Sequence, residues 1–403
     1  MMQDNTATSD LSQVAGLSIS PSPRFVLKVS KYCNLRCDYC YEFPYLGDKA
    51  RMSLEQIRRA FQNIQRSIED LAIEDIKFHW HGGEPFLVPL EFYEQVALIQ
   101  RDIFGAEFNY ANTVQTNLTV LTDRHLDFLQ RGFFESVGVS CDVYGDQRID
   151  TKGKLRTDSV LANMQKLLDH NIEFGALAVL SRATLPKIQE IYCFFDERNI
   201  RHRVLAFYKT VSLEQTQRHE LDFDDLVGAH KILFDSWLAS EQATRVDPID
   251  DYIHFAIRYL TGRNSDRYDR AKNEQTFLVG VNGDFFTNVE CYEQEFCYGN
   301  MFHSSLSEIL LSDARVRSIN LSRDRTQRFC HQCPYFGSCP GTFVADATNV
   351  ERVMLQKQGC PVRAVLDHVV DVLDRTDLTG LLARTYSESV STSTMEGLAL
   401  SEG

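Results

Sequence analysis

The sequence predicts an α/β protein: six strand–helix repeats forming an open, partial barrel, followed by a cysteine-rich C-terminal region. Three observations carry that expectation. Short β-branched or apolar runs alternate with stretches whose apolar residues recur at three- and four-residue steps, the order of parallel strands joined by helical crossovers. The repeats number six, short of the eight that close a barrel. Most of the eleven cysteines fall in two compact groups.

Phe25-Val26-Leu27-Lys28-Val29 is the first strand. Ser53 and Gln56 then form a capping box. Leu54, Ile57, Phe61, Ile64, Ile68 and Leu71 follow on one helical face. The second strand spans residues 75–81 and its helix 91–102. The third spans 112–116, with a helix over 123–131, and the fourth 136–140, with Val160, Leu161, Met164, Leu167 and Leu168 facing inward on the next helix. Strand five covers 173–180. Its helix starts at Pro186, a favoured first helical position. Strand six covers 203–208. Helices around 223–238 and 251–260 bridge to the cysteine-rich region. The expected organisation is a flexible N-terminus (1–22), a TIM-like (β/α)6 partial barrel (23–240), a helical bridge (241–279), the cysteine-rich domain (280–365), and a C-terminal helix with a flexible tail (366–403).

Composition narrows the function. A formal net charge of −14 argues against broad nucleic-acid binding, which needs clustered Lys and Arg. The basic runs at Arg58-Arg59 and Arg315 to Arg328 alternate with acidic and polar residues and read as solvated surface. No stretch approaches the roughly 18 apolar residues of a membrane span. Met1 to Pro23 lacks the cationic start and apolar block of a secretory signal, so a cytoplasmic location is expected. In that setting clustered cysteines point to metal rather than disulfides.

Cys33, Cys37 and Cys40 place three thiols within eight residues. Three thiolates can hold three irons of a cubane and leave the fourth open to an external ligand. A zinc site wants a fourth ligand, and the closest histidines, His79 and His81, lie on the next strand. At the end of that strand come Gly82-Gly83-Glu84-Pro85, where a glycine pair permits close backbone approach and Glu84 can accept from an ammonium. Read alone, this stretch is a tight turn with a solvated Glu.

Together these stretches resemble the radical S-adenosylmethionine (SAM) enzymes. Cys33-x3-Cys37-x2-Cys40, with Tyr39 before the third cysteine, matches their signature, and Gly82 to Pro85 matches their GGEP motif. The resemblance implies a [4Fe-4S] cluster on Cys33, Cys37 and Cys40, with SAM on the open iron. It also implies the SAM amino group at Gly82, Gly83, Glu84 and Pro85, and Tyr39 near the adenine. Gln115 and Asn117, ending strand three, resemble the family's QTN stretch. Ser140 and Asp142, ending strand four, resemble its Ser-x-Asp near the ribose, although Val143-Tyr144 separates Asp142 from the usual glycine. Arg182, past strand five, is a candidate partner for the SAM carboxylate. Cys141 and Cys193 read as core thiols.

Cys330, Cys333, Cys339 and Cys360 form a second thiol set, whose spacing alone does not separate zinc from iron–sulfur. It resembles the SPASM extension of peptide-modifying radical SAM enzymes, which implies an auxiliary [4Fe-4S] cluster there. Two positions depart from the pattern: Ser304 and Phe343 stand where the family has cysteines. Only Cys291 and Cys297 remain for a further auxiliary site.

The resemblance implies a maturase acting on a ribosomally made precursor peptide, forming a cyclophane carbon–carbon bond or a thioether, with an electron donor such as flavodoxin or ferredoxin as partner. Formylglycine formation, as in sulfatase maturases, is the alternative. It is weakened because Ser304-Ser305 replaces that subfamily's Cys-Asp pair. A small-molecule radical SAM enzyme is a further alternative. No nucleic acid or membrane partner is expected, and the catalytic base and oligomeric state are not legible.

Overall fold

The computed structural model describes residues 18–208, 213–287 and 293–377. Its first half alternates strand and helix in the expected order: β1 (Arg24–Ser30), α1 (Leu54–Gln65), β2 (Asp75–Gly82), α2 (Leu90–Phe104), β3 (Asn109–Thr116), α3 (Asp123–Gln130), β4 (Ser136–Ser140), α4 (Thr157–Asp169), β5 (Phe174–Leu180), α5 (Ile188–Asp196) and β6 (His202–Ala206). Then come α6 (Leu213–His219), α7 (Phe223–Ala239), β7 (Val246–Asp247), α8 (Ile249–Leu260), α9 (Arg270–Asn273), β8 (Thr276–Val279), β9 (Asp284–Thr287) and β10 (Gly299–Asn300). The described residues finish with α10 (Leu306–Leu310), α11 (Asp313–Phe329), α12 (Thr342–Ala345), α13 (Asn349–Lys357) and α14 (Pro361–Leu373).

All strands share one sheet, ordered β10-β9-β8-β1-β2-β3-β4-β5-β6-β7. Strands β1 to β6 are parallel, as crossovers by α1 to α5 require. The sheet runs past the six expected strands on both sides. β7 adds to β6, and β8 pairs parallel with the outer edge of β1, Phe25 opposite Phe277. β9 and β10 continue antiparallel. So the stretch expected as a helical bridge ends in a strand, and the cysteine-rich region is hydrogen-bonded onto the barrel sheet.

Alternation decides which side chains meet which layer. Phe25, Leu27 and Val29 of β1 and Ile76, Phe78 and Trp80 of β2 enter the main apolar core with Ile57, Phe61, Tyr93 and Val96 from the helices. The other face of these strands carries Lys28, His79 and His81. Ser53 caps α1 through the expected box with Gln56. α1 stops at Gln65, short of the Leu71 that the apolar spacing suggested, yet Ile68 and Leu71 still pack on the core from the following turns. A second core joins α7, α8 and α14 through residues such as Phe234, Trp237, Tyr252, Ile253, Val365 and Leu366.

Three expectations change. Residues 18–20, placed in a flexible lead-in, are bonded to Ala271 and Glu274 because Ile19 is buried beside β1. Cys193, expected in the core, is exposed: α5 buries Ile188, Ile191, Tyr192 and Phe195, and Cys193 lies off that face. Arg315, read as solvated, is wholly buried in an ion pair with Glu274 at 2.9 Å. The remaining N-terminal and C-terminal residues lie outside the described ones, as does Cys291.

Candidate functional site

The loop after β1 gathers the first cysteines. The Cys33 N–H donates to Leu46 O (3.0 Å), the Arg36 N–H to Ile149 O (2.7 Å) and the Cys40 N–H to Cys37 O (3.0 Å), which fixes the loop at both ends and in its middle. Cys33 and Cys37 are buried and Cys40 is half-buried. The Leu35 N–H and Asn117 Nδ2 donate to Cys33 Sγ at 3.3 and 3.5 Å. Burial, with Glu84 nearby, pushes the Cys33 thiol up to about 12; burial with Cys37 does the same for Cys40, and burial also raises Cys37. Such thiols become ligands only as a metal displaces their protons. Three of them in one loop, with N–H donors on the sulfur of one, make a donor set that fits a cluster with an open iron.

Gly82 and Gly83 make a close backbone approach within the chain itself. A Cβ on Gly83 would lie 2.3 Å from Tyr32 O and 2.4 Å from Lys31 O, and one on Gly82 2.2 Å from Ser30 O. The pair therefore lets the end of β2 press against the backbone that opens the cysteine loop. The Gly83 N–H donates to Ser30 O (2.7 Å) and the Glu84 N–H to Tyr32 O (3.0 Å). Glu84 is buried. Its Oε1 accepts from the Phe86 N–H (2.8 Å) and Thr116 Oγ1 (2.6 Å), its Oε2 from the Asn117 N–H (2.6 Å). A carboxylate has about four lone-pair sites, so Glu84 ties β2 to β3 and retains room on Oε2 for one further donor. Burial raises its carboxyl above the usual range despite the Thr116 and Asn117 bonds.

Beyond β4, Asp142 is buried and accepts the Val179 N–H on Oδ1 (2.8 Å) and the Tyr39 hydroxyl on Oδ2. Arg148 donates to that hydroxyl (3.0 Å) and sits 3.6 Å from Asp142. Burial works against the Arg148 charge, but Tyr39, Cys37 and Asp142 hold it protonated. The Gln115 amide donates to Ser140 Oγ (2.9 Å). Arg182 is exposed; it pairs with Asp225 at 3.0 Å, and its backbone N–H donates to His219 O (3.2 Å).

Sequence reading missed a polar cluster beside the cysteine loop. Lys28 is 3% exposed, its Nζ 2.6 Å from Glu42 and from the Tyr41 hydroxyl, and 3.3 Å from His81 Nδ1. Burial lowers His79 to about 4, with Arg24 and Lys28 adding, and puts His81 well below its usual range, so both imidazoles are neutral. The signal was Lys28 itself, a cation at the centre of an apolar strand. Arg148 left no such mark. Nor did the clasp on Asp38, inside the cysteine loop, by Arg218 (2.6 Å) and His219 (3.0 Å) from α6.

The four distal cysteines converge. Cys330, Cys333, Cys339 and Cys360 line one cavity with Phe329, Phe336, Phe343 and Leu366. Gly341 stands in the left-handed region, and a Cβ there would come within 3.2 Å of Cys330 Sγ. Phe343 thus supplies an apolar wall at a position where the SPASM pattern has a ligand. Burial pushes Cys339 up to about 12 and Cys360 to about 11. Among the described residues, no three His, Cys, Asp or Glu side chains gather around a point as one ion requires. Four thiols around one cavity are a donor set that fits either a zinc ion or a cubane. Cys297 is apart from them, packed on Leu278 and Phe286. Among the described residues no helix is long and apolar enough to cross a membrane.

Residues 27–195 match the model of the radical SAM superfamily. The chain is 24% identical over 343 residues to a serine-type anaerobic sulfatase-maturating enzyme of Bacteroides thetaiotaomicron, covering 78% of this chain and 81% of the relative. A cysteine-type counterpart from Clostridium perfringens is 23% identical, over 80% and 88%. The fold matches native anSMEcpe with bound AdoMet and Cp18Cys peptide (TM-score 0.69, 20% identity, 88% of this chain and 99% of that one). It also matches Streptococcus suis SuiB bound to precursor peptide SuiA (TM-score 0.53, 16% identity, 75% and 67%).

Proposed function

Because residues 27–195 form a radical SAM domain and the chain is therefore an enzyme, we propose that it is a maturase that cross-links a ribosomally made precursor peptide, through a carbon–carbon or thioether bond. One observation carries the reading: a loop of three thiols, two of them buried, bonded to a carboxylate-bearing Gly-Gly-Glu turn, and a separate cavity ringed by four thiols, stand in one chain. When bound, a [4Fe-4S] cluster with SAM supplies a 5′-deoxyadenosyl radical that takes a hydrogen atom from the substrate. The relatives anSMEcpe and SuiB, solved with peptides bound, support a peptide as that substrate.

The chain's own residues do the rest. Cys33, Cys37 and Cys40 are the cluster ligands, and the Leu35 and Asn117 donors favour the thiolate form of Cys33. Glu84 offers its remaining lone pair to the SAM ammonium. Asp142 and Arg148 hold the Tyr39 ring in one orientation beside the loop. Gln115 and Ser140 fix one another where the ribose is expected. Cys330, Cys333, Cys339 and Cys360 hold an auxiliary cluster of SPASM type in an apolar cavity, suited to exchanging electrons with a small protein donor. With Ser304 and Phe343 in ligand positions, a further auxiliary cluster is not part of this reading.

The test is anaerobic reconstitution followed by SAM, reductant and candidate precursor peptides from any short reading frames beside the gene. The expected results are 5′-deoxyadenosine, a product lighter by two hydrogens per cross-link, and about eight irons per chain from two cubanes. 5′-Deoxyadenosine from a Cys33/Cys37/Cys40 triple-alanine variant would overturn the reading. The sulfatase-maturase relatives favour formylglycine formation as a second reading. Against it, Ser305 is occupied as the N-cap of α10, bonded to Glu308. An aldehyde in a sulfatase-derived Ser or Cys peptide would decide for it.

A further inference from the structure

We propose that the cleft at the C-terminal end of β6 is a subsite for a lysine or arginine side chain of the peptide substrate. The proposal rests on the peptide reading above and adds a substrate class to it. The cleft lies between the barrel and the cysteine-rich region, walled by Phe207 and Tyr208 after β6, by Glu220 after α6, and by Thr348, Glu351 and Met354 at α13. Behind its open mouth it offers about 70 Å³ of enclosed space, room for part of one side chain. The C-terminal ends of barrel strands are where such enzymes keep their sites.

Its chemistry is one-sided. Two acidic residues, Glu220 and Glu351, line it, and no Lys, Arg or His is among the described lining residues. Glu351 caps α13, its Oε2 accepting the Thr348 N–H at 2.6 Å, which uses only part of its accepting capacity. Burial raises the Glu351 carboxyl above its usual range, the Thr348 bonds oppose this, Asp346 adds to it, and the Arg352 charge lowers it again. A cation seated in the cleft would favour the ionised form. The aromatic walls suit the stem and head of a long cationic side chain. The cleft is also close to the chemistry: the Tyr208 ring lies 5.5 Å from that of Tyr41, the residue after Cys40.

The test uses the full chain, reconstituted anaerobically with SAM, and four pools of N-acetylated, C-amidated fluorescent nonapeptides. The flanks are randomised and the central residue is fixed as Lys, Arg, Gln or Glu. Acetylation removes the terminal amine as a competing cation. The Lys and Arg pools should bind about tenfold more tightly than the Gln pool, the size of a hydrogen-bonded charge, and the Glu pool most weakly. Glu220→Gln with Glu351→Gln should reduce that preference to under twofold without shifting the melting temperature, since Gln still completes a capping box. Equal binding of all four pools, or a preference that survives the double substitution, overturns the subsite and leaves the peptide reading standing. If no pool binds while SAM is still cleaved, the peptide reading falls and the subsite with it.

Discussion

Replacing Glu84 tests the join between the cysteine loop and the sheet. Glu84→Ala leaves three buried donors without their acceptor: the Phe86 N–H, the Asn117 N–H and Thr116 Oγ1. Each costs about 1–3 kcal/mol when unpaired. The Thr116 hydroxyl can turn to another acceptor, and a desolvated carboxylate is removed at the same time. The net loss should therefore fall at about 2–4 kcal/mol. Glu84→Gln keeps an oxygen for Phe86 and Thr116 but turns an amide N–H toward the Asn117 N–H, so one contact is lost, about 1–3 kcal/mol. Urea unfolding reports these as midpoint shifts at constant slope. Hydrogen exchange over residues 84–90 and 114–120 should show the loosening at both strand ends. SAM binding should fall at least tenfold in both variants, because both lose the carboxylate charge. An alanine variant within about 0.5 kcal/mol of the parent, with unchanged exchange in both segments, would refute the tie and the site built on it.

Burial holds His202 and His230 at about 4, below the 6.5 of the free side chain. The unfolded chain therefore binds more protons between those values, and stability is lost as pH falls from 6.5 toward 4, up to about 3 kcal/mol per histidine. Urea midpoints from pH 7.5 to 4.5 should fall, and His202→Phe, stacked on Phe195 as the imidazole is, should flatten the slope; an unchanged slope would count against it. Arg148→Ala strands the buried Asp142 and should cost about 3–5 kcal/mol, whereas Arg182→Ala, an exposed pair, should stay within about 1 kcal/mol; equal melting shifts for the two would contradict the placement. Gly83→Ala drives a Cβ into the Lys31 and Tyr32 carbonyls and should abolish iron uptake at the first loop while sparing the distal cavity, leaving about four irons per chain; full iron loading would show that the loop yields.

The barrel was legible because its strands and helices obey local rules. β4 falls at Ser136–Ser140 and the α1 cap at Ser53, as pattern and capping chemistry require. The additions at the sheet edges were not legible. β7 has two residues, and β8 has four, three of them apolar, a run that a helix core would accept equally. The cysteines and Glu84 stood out because their residue types and spacing are chemically narrow. Arg148 and Arg315 did not, because the partners that make a buried guanidinium tolerable come from residues distant in sequence: Tyr39 across 109 positions for Arg148, Glu274 across 41 for Arg315. Cys193 shows the reverse error, since one step around a helix moves a thiol from core to solvent.

The pairing of β8 with β1 also governs how the chain must be made. β1 leads into the cysteine loop, yet its second edge is completed by residues that leave the ribosome about 250 positions later. Contacts so far apart in sequence form slowly. Until they form, an apolar strand edge stands open to other chains. A fragment ending after β6 would keep that edge permanently unpaired and should aggregate, so the barrel cannot be harvested as a smaller catalyst by cutting away the cysteine-rich half. During synthesis the thiols of the first loop emerge long before their scaffold is closed, and metal loading is best timed after the last strand has joined.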